Sequence, residues 1–66
     1  MNRVEVVYVP KREKWLVMAN NFEESSHRLK QAAEKEGRKI AKRNRPSNFV
    51  VKRKSGDVSY TQRYNT

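Results

Sequence analysis

A chain of 66 residues with no cysteine and one histidine excludes a disulfide framework, a cysteine-based zinc site and a histidine-rich metal site. A domain this short removes only about 60% of its unfolded surface from water, so further stability has to come from elsewhere, and self-association is the remaining source. The formal charge of +9 points to a polyanionic partner, nucleic acid before an anionic membrane or an acidic protein, or else to simple solubility.

The start, MNRVEVVYVP, has no apolar run of signal-peptide length, and nothing downstream approaches the roughly 20 apolar residues of a membrane span, so a cytoplasmic protein with no membrane partner is expected. Residues 3–10, RVEVVYVP, are β-branched and aromatic and read as a strand that Pro10 ends, because proline cannot donate to a ladder. KREK is a polar turn, and KWLVMAN (14–20) is a second strand closing a hairpin. Asn20 and Asn21 break the pattern. NFEESS then reads as a connection, with Ser25 or Ser26 as helix N-cap and Glu23 and Glu24 favourably placed at the positive end of the helix dipole.

From about His27 to Asn44, Leu29, Ala32, Ala33, Gly37, Ile40 and Ala41 recur at three- and four-residue steps, the pattern of an amphipathic helix lying close to a sheet. Lys39, Lys42 and Arg43 suit its C-terminal end, and Pro46 keeps Arg45 out of the helical region. Residues 47–64 form a hairpin with Ser55-Gly56 as its two-residue turn. The order is ββαββ, an α+β domain in which antiparallel hairpins pack on a single amphipathic helix.

Strand alternation divides each hairpin into two faces. In the first, Val4, Val6, Tyr8, Trp15, Val17 and Ala19 face the helix, while Val7, Val9, Leu16 and Met18 point away and need a cover. A second copy of the chain is the simplest cover, making these four a homodimer interface; a groove for another protein is the alternative. In the second hairpin, Phe49, Val51, Val58 and Tyr60 fall on the core side, and Val50, Lys52, Lys54, Ser59, Thr61 and Arg63 on the other. Lysine and arginine among hydroxyls is the composition of phosphate contacts, and also of a solvated sheet face.

The charge is uneven. Residues 1–36 hold seven Lys/Arg against six Asp/Glu, whereas residues 37–66 hold nine against Asp57 alone. Lys42, Arg43, Arg45, Lys52, Lys54 and Arg63 are accordingly the candidate nucleic-acid contacts, with the runs AKRNRP and VKRKSG expected at one end of the domain. Trp15, Phe49 and Tyr60 are read as core residues, with base stacking as the alternative.

Catalytic chemistry finds little to stand on. Ser26-His27 lacks an orienting carboxylate and an oxyanion loop, and Glu23, Glu24, Glu34 and Glu36 sit among lysines as solvated charges. The two glycines, Gly37 and Gly56, make no phosphate cradle. No enzyme, cofactor, metal or small-molecule substrate is expected. Gly37 costs about 1 kcal/mol relative to alanine inside a helix, so it needs a packing reason, an aromatic such as Trp15 above it.

The features Val9-Pro10, Trp15 to Val17, Ala33 to Ala41, Pro46 to Val51, Ser55-Gly56 and Tyr64 occur in an order and spacing that resembles a family of small bacterial and archaeal proteins known as domain of unknown function twenty-one eighty-eight. The chain departs from the family pattern at the helix start, where it reads LKQAA. The resemblance implies the fold and no activity. The expected function is therefore a non-enzymatic, homodimeric small basic protein that binds nucleic acid with little sequence specificity. Its alternative is a protein-interaction or structural module whose charge serves solubility.

Overall fold

The structure, a computed structural model, describes residues 1–65. Its elements are β1 (Asn2–Val9), β2 (Lys14–Ala19), β3 (Phe22–His27), α1 (Lys30–Arg43), β4 (Ser47–Lys52) and β5 (Val58–Tyr64). The strands form one sheet in the order β3-β2-β1-β4-β5, and α1 packs on one face of it. The α+β class holds, with one strand more than the sequence patterning implies. No helix among the described residues is long and apolar enough to cross a membrane.

The added strand is FEESSH, expected to be a connection with a serine helix cap. Asn20 and Asn21 adopt φ of 50° and 72°, the left-handed pair that a two-residue hairpin turn requires and that asparagine tolerates. The chain therefore folds straight back along β2, pairing Ala19 with Phe22 and Trp15 with His27. Ser25 and Ser26 are strand residues, and the helix begins later, with Leu29 at its N-cap and no side chain capping it.

Strand β1 lies at the centre of the sheet, antiparallel to β2 and parallel to β4. Parallel neighbours need a crossover connection, and α1 supplies it, carrying the chain from edge strand β3 back over the sheet to β4. Its 14 residues, about 21 Å at 1.5 Å per residue, are ample for three strand spacings of about 4.8 Å each. The helix face turned to the sheet carries Ala33, Gly37, Ile40 and Ala41, all buried; Ala32, expected there too, is exposed. Beneath it lie Val4, Val6, Trp15, Val17, Phe49, Val51 and Tyr64.

Gly37 sits on Phe49, not on Trp15. A Cβ at position 37 would lie 2.6 Å from Phe49 Cε1 and 3.3 Å from Val6 Cγ2. Phe49 is fully buried, so its ring has little room to retreat. Trp15 instead packs near the start of the helix, with Tyr8 at 5.0 Å between ring centroids and Lys30 Nζ 5.4 Å above its ring.

The C-terminal end of α1 is tied to the sheet by hydrogen bonds. The buried Ser47 Oγ donates to the Ala41 carbonyl at 2.7 Å, Asn44 Nδ2 donates to Ile40 O at 2.8 Å, and Asn2 Nδ2 donates to Asn44 O at 2.6 Å. Ser47 and Asn2 thereby tie the helix end to β4 and β1, while Asn44, whose backbone N–H also reaches Ile40 O and Ala41 O, closes it from within.

The last hairpin has a loop one residue longer than a Ser55-Gly56 pair implies, opening at Lys54. Gly56 N–H donates to Arg53 O, and Arg53 N–H to Asp57 O, so Lys54, Ser55 and Gly56 form a three-residue loop with Gly56 at φ 96°. A bulge follows, pairing Lys52 with Val58 while Val51 still faces Tyr60. Val58, expected in the core, consequently lies on the far face and is 49% exposed.

Replacing Gly37 tests the helix–sheet contact. Gly37→Ala is expected to destabilise despite alanine's better helix propensity, and Gly37→Leu to cost about 1 to 3 kcal/mol through overpacking. Urea melts measure both; stability at or above that of the parent protein would show that the Phe49 ring yields without cost.

Candidate nucleic-acid interface

With Ala33, Gly37, Ile40 and Ala41 turned to the sheet, the 100° step of an α-helix places Gln31, Lys35, Lys39 and Lys42 on the opposite, exposed side. Arg38 and Arg43 flank this row, and Glu34 and Glu36 are half-buried near the sheet. Lys35 and Lys42 are separated by about 10 Å along the axis. Beyond the helix end, the exposed Arg45 continues the row, its guanidinium 6.0 Å from the centroid of the Tyr64 ring. Among the described residues, none of Lys35, Lys39, Lys42, Arg43 and Arg45 forms an ion pair; the pairs present are Arg3–Glu5, Arg12–Glu23, Arg38–Glu34 and Lys52–Glu5. Arg38 is further engaged by donating to the Tyr60 hydroxyl at 2.9 Å.

Of the six basic residues expected to act together, Lys42, Arg43 and Arg45 are gathered and the others are not. The helix ends beside Ser47, at the beginning of β4, whereas Lys52 closes that strand, five steps or roughly 17 Å away. AKRNRP and VKRKSG thus lie at opposite ends of the sheet. Lys52 and Lys54 also part company: Lys52 Nζ pairs with Glu5 at 3.4 Å on the face away from the helix, while Lys54 Nζ lies 4.8 Å over the ring of Tyr8, which packs on the helix side with Trp15. Arg63 does share the helix-terminal end of the sheet. It pairs with Asn48 across β5 and β4, as Arg3 does from β1, but on the far face. Lys35 and Lys39 were missing from the expected set, although their i, i+4, i+7 spacing with Lys42, opposite the small-residue face, was visible in the sequence.

The far face of the sheet carries Val7 opposite Leu16, Glu5 opposite Met18 and Val9 opposite Lys14, so Val7, Val9, Leu16 and Met18 do turn away from the helix. They are not equally available. Val7, Val9 and Met18 are half-buried, but Leu16 is only 7% exposed and Val50, on the same face, 4%. Val58 joins them. Glu5 interrupts the apolar surface; burial raises its carboxyl, and the neighbouring Arg3 and Lys52 outweigh that, holding it below the ordinary carboxylate range.

The serine–histidine pairing is also redrawn. Ser26 pairs with Leu16 and so belongs to the far face, whereas His27 pairs with Trp15 on the helix side. It is Ser25 Oγ that lies 2.9 Å from His27 Nε2, two residues apart on one side of a strand. Among the described residues no carboxylate hydrogen-bonds to this histidine, and no three of His, Cys, Asp and Glu gather as metal ligands. No pocket opens in the described surface.

The features that carried the family resemblance now have places: Val9-Pro10 ends β1, Trp15 to Val17 lies in β2, Ala33 to Ala41 spans the buried side of α1, Pro46 to Val51 leads into β4, and Tyr64 closes β5. No curated protein and no solved structure matches the chain. One family model does, over residues 4–64, and its description speaks of bacteria alone, without the expected archaeal range. The chain belongs to that family, the uncharacterized proteins conserved in bacteria called DUF2188.

Proposed function

We propose that this chain is a non-enzymatic cytoplasmic module that binds nucleic acid through phosphate contacts, using the exposed side of α1 and the turn after it. The observation that carries this reading is the row Lys35, Lys39, Lys42, Arg43 and Arg45, exposed and without ion pairs among the described residues. Solubility needs charge but not one sign on one face. Lysines at i, i+3 and i+4 repel, and each such pair costs an isolated helix about 0.2 to 0.5 kcal/mol. A bound polyanion relieves that repulsion. Lysine, which meets phosphate as a point charge, supplies three of the row's five cations, which favours binding with little sequence preference.

The far face of the sheet favours a second property, self-association, through the partly exposed Val7, Val9 and Met18 with Val58 beside them. Two copies joined there would carry their helices on opposite outer sides, not as one merged patch.

Fluorescence anisotropy with mixed-sequence nucleic acid tests the first property. If about four phosphates are neutralised, the slope of log affinity against log salt is close to −3.6 on duplex DNA. Charge reversal at Lys39 and Lys42 should weaken binding to all sequences alike and flatten the slope. Lys52→Gln should leave binding unchanged, and it is preferable to Lys52→Glu, which would set a second carboxylate beside Glu5. Absence of binding at low salt would make the row a solvated face.

Light scattering at micromolar concentration tests the second. Twice the chain mass is expected, reduced to the single-chain mass by Met18→Lys, a position open enough to take the charge without unfolding. A wild-type protein of single-chain mass would overturn self-association.

A further inference from the structure

We infer that the nucleic acid is B-form duplex DNA, with α1 seated in the major groove; this rests on the nucleic-acid reading above and narrows it. Single strands are held by stacking bases on exposed rings. Among the described residues no ring beside the basic row is free for that. Trp15, Phe49 and Tyr64 are buried, Tyr8 is covered by Lys54 and packed on Trp15, and Tyr60 is held edge-on to Phe49 with its hydroxyl bonded to Arg38. Among the described residues the one widely exposed ring, Phe22 at 74%, is on edge strand β3, three strands from β4, where the helix ends.

Between the two duplex forms, shape decides. The helix is a separate layer, with every strand beneath it in one sheet, so it stands proud by its own diameter of about 10 Å. The B-DNA major groove, about 12 Å wide and 8.5 Å deep, admits such a cylinder, while the major groove of A-form RNA is too narrow. Among the described residues the unpaired cations of the helix occupy its crest, the part that enters a groove first. Taking Lys35 as the crest, Lys39 and Arg43 lie roughly 40° and 80° to one side and Lys42 roughly 20° to the other, where Arg38, roughly 60° round, is already engaged by Glu34 and Tyr60.

Anisotropy titrations at one salt concentration, with a 20-base-pair DNA duplex (length about two helical turns), the RNA duplex of the same sequence and the single DNA strand, test the inference. The DNA duplex should bind about tenfold more tightly than the other two. Methylation protection of guanine N7 should appear on the bound DNA, and netropsin, which fills the minor groove, should not displace the protein. Lys35→Ala should lower the salt slope on duplex DNA by about one. Equal or tighter binding to RNA duplex or single strand, or displacement by netropsin, would overturn the groove assignment while leaving nucleic-acid binding in place. No binding to any of the three would overturn both.

Discussion

The domain depends on how closely α1 can approach its sheet, and Gly37 over Phe49 sets that distance. Any side chain at position 37 would collide with a ring that is itself wholly enclosed. The closeness has an energetic logic. In a chain with few large apolar residues, small residues at Ala33, Gly37 and Ala41 let the helix descend until Val4, Val6, Val17 and Val51 are dry, so that short side chains suffice to fill the space between the layers. The propensity lost at glycine is offset by burial that a bulkier helix face would prevent.

From that contact the placement of the charged side chains follows. Once four positions face down, the helical repeat leaves no freedom in what faces up, and Lys35, Lys39 and Lys42 occupy the crest. The hydrogen bonds from Ser47, Asn44 and Asn2 then hold the last turn, which carries Arg43, and the turn after it, which carries Arg45. The basic surface is thus carried by a regular element anchored at its C-terminal end, which keeps the relative positions of its charges constant.

Much of this was legible in the chain. The first hairpin, its two faces, the helix with its small-residue side and the final hairpin all follow from apolar periodicity. What was not legible has identifiable causes. FEESSH has no apolar alternation because it is an edge strand whose residues are exposed or only half-buried; the asparagine pair before it was the sign, and it reads equally as the end of a structure. Periodicity said that Gly37 needed a close neighbour but not which, since the identity of that neighbour depends on how the helix crosses the sheet. A single residue in loop length moved Val58 from one face to the other, because strand faces alternate and any odd error inverts them. The separation of the two basic runs was hidden for a simpler reason. Closeness in sequence across a strand means distance in space, and β4 is fully extended between them.

The parallel pairing of β1 with β4 bears on how the chain reaches this state. Asn2 lies beside Ser47, and Val6 beside Val51, so the middle of the sheet joins segments on either side of the helix that are far apart in sequence. Hairpins such as β1–β2 and β4–β5 form locally within about 1 to 10 μs, but a parallel central pair cannot close until the helix has crossed over. On a ribosome the three N-terminal strands emerge first, with the helix-facing sides of Val4, Val6 and Val17 still uncovered, and wait for the last third of the chain to supply Phe49 and Val51. The order of synthesis therefore leaves the apolar sides of β1 and β2 uncovered the longest.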